Sequence, residues 1–133
     1  MPAMDTAQLV ATMPFAAAVG ITIDAASSDE VRGRLPWAPE RCTTAGLMHG
    51  GAVMTLADSL GAVCAFLNLP EGASTSTISS ATNFFRGVRD GEVRGVARPL
   101  HAGRTTIVVQ TDVRNDEGKR LALVTQTQAV LRT

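Results

Sequence analysis

Residues 50–69, with the sequence GGAVMTLADSLGAVCAFLNL, form the longest apolar run of the chain and decide its fold. Apolar side chains fill most sides of a helical wheel drawn for this run, and Pro70 ends it. Its length would also span a membrane, but Asp58 near its middle would be costly in lipid and no basic residues flank it. A helix that is apolar nearly all round is buried. We therefore predict a long helix buried within the protein.

Strand-like segments lie on both sides of this helix. Two short alternating segments, 21–25 and 31–35, precede it and form a predicted hairpin. Four longer ones follow it and are separated by turns, at 73–86, 92–100, 105–114 and 120–131. Because these connections are short, we expect the four strands to pair antiparallel as a meander. The order of elements predicts an α+β architecture with one curved antiparallel sheet wrapped around the central helix.

Residues 1–19 predict an N-terminal helical arm. A short amphipathic helix over 4–19 has Asp5 or Thr6 as its N-cap and breaks or restarts at Pro14, since proline cannot donate to the preceding turn. The arm has the apolarity of a signal-peptide core, but no Lys or Arg precedes its apolar stretch. We therefore expect it to stay in a mature cytoplasmic protein.

The composition predicts one soluble domain over residues 1–133 that associates with copies of itself. Hydrophobic residues make up 45% of the chain and charged residues 18%, below the roughly 25% charge of average globular proteins. Twelve basic residues balance twelve acidic ones, so the chain lacks the basic excess that nucleic-acid binding requires. Two cysteines are too few for a disulfide scaffold.

The start of the long helix carries most of the functional information. His49, Gly50 and Gly51 stand there, and glycines leave the free N–H groups of a helix N-terminus open to a ligand. With the positive end of the helix dipole behind them, such groups polarise a carbonyl or bind an oxyanion. The alternative is that the glycines only permit a tight turn, and the pair alone does not decide between the two.

Asp58 is unusual because an acidic residue in the middle of an apolar helix either pairs with a positive group or is retained for a task. No arginine stands three or four residues away to neutralise it. The alternative is a structural hydrogen bond to the hydroxyl of Thr55 or Ser59. We favour a functional role.

In combination, these features resemble the hotdog-fold acyl-CoA thioesterases of the phenylacetate-pathway (PaaI-like) type. The matching features are His49-Gly50-Gly51, Asp58 two turns into the helix, the strand 77–86 with the sequence TISSATNFFR, and the Gly103-Arg104 turn. The resemblance runs from about residue 15 to residue 131. It implies a hotdog fold and hydrolysis of an acyl-CoA thioester to the free acid and coenzyme A, with no cofactor.

The resemblance also implies a role for each matching catalytic position. The Gly50 N–H would polarise the thioester carbonyl, and Asp58 would act as nucleophile or as general base on water. His49 would shape the carbonyl site. Thr77 would hold the attacking water or the Asp58 carboxylate.

The predicted substrate-binding residues are Thr43, Gly51, Phe85, Arg86, Gly103 and Arg104. Thr43 stands where the family often has Asn, and its shorter side chain donates only one hydrogen bond. The polar contact there is therefore weakened, lost or taken over by water. Arg86 and Arg104 are either solvated strand ends or contacts to the phosphates of coenzyme A, for which guanidinium groups are well suited.

Helix geometry predicts a site shared between subunits. At 1.5 Å rise per residue, Asp58 lies about 12 Å along the helix from Gly50, too far for both to touch one thioester. Two helices that meet antiparallel across a two-fold axis bring Asp58 of one subunit to Gly50 of the other. We therefore expect a homo-oligomer, either a dimer or a dimer of dimers.

Three other interpretations are open at this stage. Cys42 and His49 could form a nucleophile and base, but no third orienting acid stands in that loop. A hotdog enoyl-CoA hydratase or dehydratase also pairs a His with an acid, and a non-catalytic acyl-CoA binding module would explain the departure at Thr43. The spacing of His and Cys residues fits no metal motif, so we expect no metal site.

Overall fold

The computed structural model describes residues 5–132, so residues 1–4 of the predicted arm and residue 133 lie outside the described part. Three α-helices are present: α1 (Thr6–Ala11), α2 (Pro14–Val19) and α3 (Gly50–Phe66). The six strands are β1 (Thr22–Ala26), β2 (Val31–Pro36), β3 (Ser74–Phe84), β4 (Glu92–Ala102), β5 (Thr106–Arg114) and β6 (Arg120–Leu131). Two 3-10 turns, Pro39–Arg41 and Thr44–Gly46, lie in the loop before α3.

The strands form one antiparallel sheet in the order β1-β2-β4-β5-β6-β3, and α3 packs on its inner face. Gly33 and Gly95 lie where the helix approaches the sheet most closely. A Cβ atom built at either position would stand 2.6 or 2.7 Å from a methyl carbon of Leu60, so any side chain there would push α3 outward. The predicted α+β architecture, a sheet around a long helix, is confirmed.

The predicted meander is wrong at β3. This strand pairs with β6 at the far edge of the sheet, and β2 takes the place beside β4. The residues between β3 and β4 do not form a hairpin turn. They pass along the start of α3, where the Met48 N–H donates to the Val88 carbonyl at 2.8 Å and the Val88 side chain is buried. A short connection therefore carries the chain from the sheet edge to its centre.

The long helix is shorter and less buried than predicted. It ends at Phe66 rather than Leu69, where the Asn68 side-chain amide donates to the Cys64 carbonyl at 2.9 Å. Met54, Asp58 and Phe66 are exposed, because the sheet covers only one side of the helix. Among the described residues, no helix is long and apolar enough to cross a membrane.

The N-terminal arm forms two short helices. The Asp5 carboxylate, not the Thr6 hydroxyl, caps α1 by accepting from the N–H groups of Ala7 and Gln8. The break predicted near Pro14 is confirmed, since proline is the first residue of α2. Gly20 ends the arm with φ +103°, a conformation that favours glycine.

Candidate active site

His49 organises the start of α3. It is the N-cap residue, and its Nδ1 accepts a hydrogen bond from the Gly51 N–H at 2.8 Å. Its own N–H donates to the Arg41 carbonyl at 2.8 Å. In a neutral imidazole whose Nδ1 is an acceptor, the proton is on Nε2. His49 therefore offers an Nε2–H donor beside the helix N-terminus.

The two glycines at this helix start differ in what they offer a ligand. The Gly51 N–H donates to Nδ1 of His49 and is therefore already occupied. The Gly50 N–H has no acceptor among the described residues, because the first residue of a helix has no intrahelical partner. A Cβ atom at Gly50 would lie 3.2 Å from the Phe84 ring. Glycine therefore lets this ring and the helix start lie close together.

Asp58 lies in a cleft of about 550 Å³ between α2, α3 and β3. Apolar Phe15, Met54 and Ala62 line it, together with the hydroxyl of Ser80. The carboxylate reaches solvent, but the cleft walls remove part of its hydration, and this desolvation raises the pKa of Asp58 above its ordinary value.

The structural alternative for Asp58 is not formed in the described part of the chain. The Thr55 hydroxyl donates to the Gly51 carbonyl at 2.7 Å instead. None of the side-chain hydrogen bonds or ion pairs formed within residues 5–132 involves the Asp58 carboxylate, and burial is what raises its pKa. Asp58 is therefore a partly desolvated carboxylate without a partner in the described part of the chain.

His49 lies in a neighbouring cleft of about 610 Å³. This second cleft is also lined by Glu40, Arg41 and Cys42. Phe15, Gly51 and Thr55 border both clefts. Within one chain, the two predicted catalytic side chains therefore face adjacent clefts rather than one shared cavity.

Thr77 lies outside both clefts. It is exposed on β3, and its hydroxyl accepts from the buried Gln128 amide at 2.8 Å. A β-bulge between Thr77 and Ser79 shifts the strand by one residue, so Ser80 rather than Ser79 faces α3 and enters the cleft of Asp58. The sequence analysis did not identify Ser80, because strict alternation of side chains along a strand would place Ser80 on the opposite face from Thr77, away from the helix.

The predicted substrate-binding residues lie around the ends of the sheet. Thr43 is exposed at the start of a 3-10 turn and enters neither cleft, and Phe85 is exposed just after β3. The Gly103 N–H donates to the Thr106 carbonyl at 2.8 Å and closes the β4–β5 hairpin.

Arg86 and Arg104 are exposed, and their guanidinium groups have no acceptor within residues 5–132. In this lack of an acceptor they differ from the arginines on the outer face of the sheet. Six of those form ion pairs with Asp or Glu: Arg32, Arg34, Arg94, Arg98, Arg114 and Arg120. Arg86 and Arg104 are therefore available to an anionic ligand.

The structure does not support the Cys42–His49 dyad. The Cys42 thiol donates to the Ala38 carbonyl at 3.3 Å, and Nδ1 of His49 is bound by the helix start. Cys64 is fully buried, and its burial raises the pKa of the thiol to about 11, so it is not a nucleophile. In the described range, no group of three or more His, Cys, Asp and Glu side chains could hold a metal ion.

Comparison with known proteins points to one family. A model described as the thioesterase superfamily matches residues 45–122. The 1,4-dihydroxy-2-naphthoyl-CoA hydrolase of Escherichia coli is 35% identical over 86 residues, which cover 65% of this chain and 63% of the relative. A protein of Vibrio cholerae is 36% identical over 88 residues, 66% of this chain, and the match spans only 59% of that relative.

Solved structures give the same result over nearly the whole chain. A mutant of thioesterase PA1618 from Pseudomonas aeruginosa superposes with a TM-score of 0.92 at 30% identity, covering 99% of this chain and 97% of that chain. Thioesterase HI1161 from Haemophilus influenzae superposes with a TM-score of 0.90 at 28% identity, covering 98% and 93%.

Proposed function

Because this chain belongs to the thioesterase superfamily, we propose that it hydrolyses an acyl-CoA thioester to the free acid and coenzyme A. The membership confirms the predicted hotdog fold and the predicted thioester hydrolase. The proposal also includes four finer points: the acyl-CoA substrate, the PaaI-like type, the roles of single residues and the cytoplasmic location. The name of the Escherichia coli relative, which gives it an aromatic acyl-CoA as substrate, supports the choice of a CoA thioester.

One observation carries the proposal: α3 presents a free N–H at its first residue and a carboxylate without a structural partner two turns later. The Gly50 N–H, at the positive end of a 17-residue helix, polarises the thioester carbonyl and stabilises the oxyanion that forms on it. The Nε2–H of His49 is a second donor for the same oxygen.

Asp58 then supplies the attack by one of two routes. As a general base, its carboxylate takes a proton from water, the hydroxide attacks the carbonyl carbon, and the C–S bond breaks to release the CoA thiolate, which is then protonated. As a nucleophile, the carboxylate attacks the carbonyl carbon itself, the C–S bond breaks to release the CoA thiolate, and water hydrolyses the mixed anhydride to the free acid and the regenerated Asp58 carboxylate. Because burial raises the pKa of Asp58, its carboxylate is a stronger base in the ionised form than an ordinary Asp carboxylate.

The proposed site is completed by a second copy of the chain. Asp58 is eight residues from Gly50, or about 12 Å along the helix axis. The helix face that carries Asp58 also exposes Met54 and Phe66, and the outer edge of β3 has no strand beside it. A two-fold dimer that covers these apolar side chains and this edge would bring Asp58 to Gly50 of the partner subunit.

The free guanidinium groups of Arg86 and Arg104 suit the phosphates of coenzyme A. One residue precedes the eleven-residue strand β4 and the other follows it, so within one chain they stand at opposite ends of a strand about 35 Å long. They would therefore serve different parts of the ligand or two different sites of the dimer.

A thiol-release assay over a panel of acyl-CoAs tests the proposal. Hydrolysis frees a thiol in proportion to acid formed, and we expect this for at least one acyl-CoA. A hydratase would consume an enoyl-CoA without releasing thiol, and a binding module would show saturable affinity without any reaction. Either of these outcomes would overturn the proposed hydrolysis.

A further inference from the structure

Phe15 is an apolar side chain in an unusual place. It is 69% exposed, the most exposed large hydrophobic residue of the described chain, although it belongs to a helix that packs against α3. Phe15 lines both the cleft of Asp58 and the cleft of His49. It is therefore a large apolar side chain next to both candidate catalytic groups.

The helix that carries Phe15 is held against the loop before α3 by contacts at its other end. The Arg41 guanidinium donates to the Val19 carbonyl and, at 3.0 Å, to the Pro36 carbonyl. A Cβ atom at Gly20 would lie 2.2 Å from this guanidinium, so only glycine leaves room for it. The Ala16 side chain, next to Phe15, is buried. The arm is thus fixed against the body of the protein.

The same arginine joins the arm to the start of α3. Its side chain holds the end of α2, and its backbone carbonyl accepts the His49 N–H at 2.8 Å. Arg41 therefore connects the helix that carries Phe15 directly to His49.

The surface beside the ring is apolar. Met13, Met54 and Ala62 line the cleft of Asp58 together with Phe15, and an acyl group whose carbonyl carbon lies beside Asp58 would extend along them. We propose that Phe15 is the specificity-determining residue of the site and that its ring limits the size of the apolar acyl group that the enzyme accepts. This proposal rests on the proposed function.

The test compares Phe15→Ala, Phe15→Trp and wild type on acyl-CoAs that range from acetyl to long-chain and bulky aromatic groups. Removing the ring leaves more room in the cleft of Asp58, so Phe15→Ala should raise the ratio of kcat/KM for bulky over small acyl groups by about tenfold or more. Phe15→Trp should lower that ratio. Leu100→Ala is the matched control, since Leu100 is 58% exposed but lies on β4, away from both clefts.

Affinities of non-hydrolysable thioether analogues, measured by calorimetry on the same variants, separate the two proposals. If the wild type hydrolyses thioesters and the size profile does not change in the Phe15 variants, the role of Phe15 is wrong and the proposed function stands. If thiol release is absent but analogue affinity shows the predicted size shift, Phe15 keeps its role and hydrolysis is wrong. Absence of both hydrolysis and binding would overturn both.

Discussion

At the scale of single residues, substitution of Asp58 distinguishes a catalytic role of this side chain from a structural one. If the carboxylate attacks the thioester or activates water, Asp58→Asn keeps its volume but removes its basicity, so kcat should fall by about 100-fold or more. Affinity for a thioether analogue should change little, because CoA and acyl contacts supply most of the binding. Unchanged kcat would eliminate the catalytic assignment.

The thermal stability of the same variant also distinguishes the two roles, because the loss of a structural contact would lower its Tm. Because the pKa of Asp58 is raised, the folded state binds its proton more tightly than the unfolded chain does, so ionisation at neutral pH opposes folding. The Tm of Asp58→Asn at pH 7 should therefore equal or exceed that of the wild type.

The raised pKa of Asp58 also predicts the pH dependence of catalysis. Only the ionised carboxylate is a base or nucleophile, so kcat should rise with pH through the Asp58 pKa and be lost as pH falls below it. Because desolvation raises the pKa of Asp58, this rise in kcat should be centred above the ordinary Asp pKa of about 4. A kcat profile from pH 3.5 to 8 measures it, and a rate that stays flat down to pH 4 would contradict the prediction.

Gly50 is the first residue of α3, a position where proline is tolerated, and the ψ of 133° at His49 suits a residue before proline. Gly50→Pro should therefore preserve the start of α3, with a small shift of the Phe84 ring that lies 3.2 Å from the added Cβ, while it removes the N–H donor, and kcat should fall by about 100-fold. His49→Ala should cost less, because it frees the Gly51 N–H as a substitute donor. Circular dichroism checks the fold, and wild-type kcat in the proline variant would exclude the backbone donor.

At the scale of elements, β6 carries two buried glutamines with different surroundings. Gln126 is 0% exposed and neither of its amide atoms has a partner in the described structure, while its neighbour Gly61 leaves it room. Gln128 is 1% exposed, and its amide donates to Thr77 and accepts from Thr75. One amide is an unpaired polar group, and the other links two strands.

These surroundings predict opposite effects of the same substitution. Gln126→Met removes an unpaired buried amide and should raise the free energy of unfolding by about 1 kcal/mol or more. Gln128→Met breaks two hydrogen bonds between β3 and β6 and should lower it by about 1 kcal/mol. Urea unfolding of both variants measures this, and changes of the same sign would show that Gln126 has a partner.

At the scale of the whole molecule, the uncovered side of α3 and the free edge of β3 predict an obligate dimer or a dimer of dimers. Ile78 on this strand is 62% exposed. Ile78→Lys should weaken association and lower kcat together, since the proposed site needs both subunits. Leu100→Lys, at an equally exposed site on β4, should leave the dimer intact. Sedimentation velocity measures the oligomeric state of the wild type and both variants, and an active wild-type monomer would contradict the shared site.

Local chemistry made much of this protein predictable. The apolar run and its proline ending predict α3 to within three residues, and alternation with turn residues predicts all six strands, because these signals depend on neighbours in the chain. Asp58 and His49-Gly50-Gly51 stood out for the same reason. They are chemically unusual at the positions they occupy along one helix.

The remaining structural features depend on contacts between residues far apart in the chain, and the sequence alone did not reveal them. The place of β3 beside β6, the bulge that turns Ser80 toward Asp58, and the open side of α3 all depend on which segments meet in space. By itself, the sequence determined the elements and the reactive groups, since periodicity and side-chain chemistry are local properties. Only the tertiary structure showed that Phe15 lines both clefts, because that position is set by pairing and packing between residues far apart in the chain.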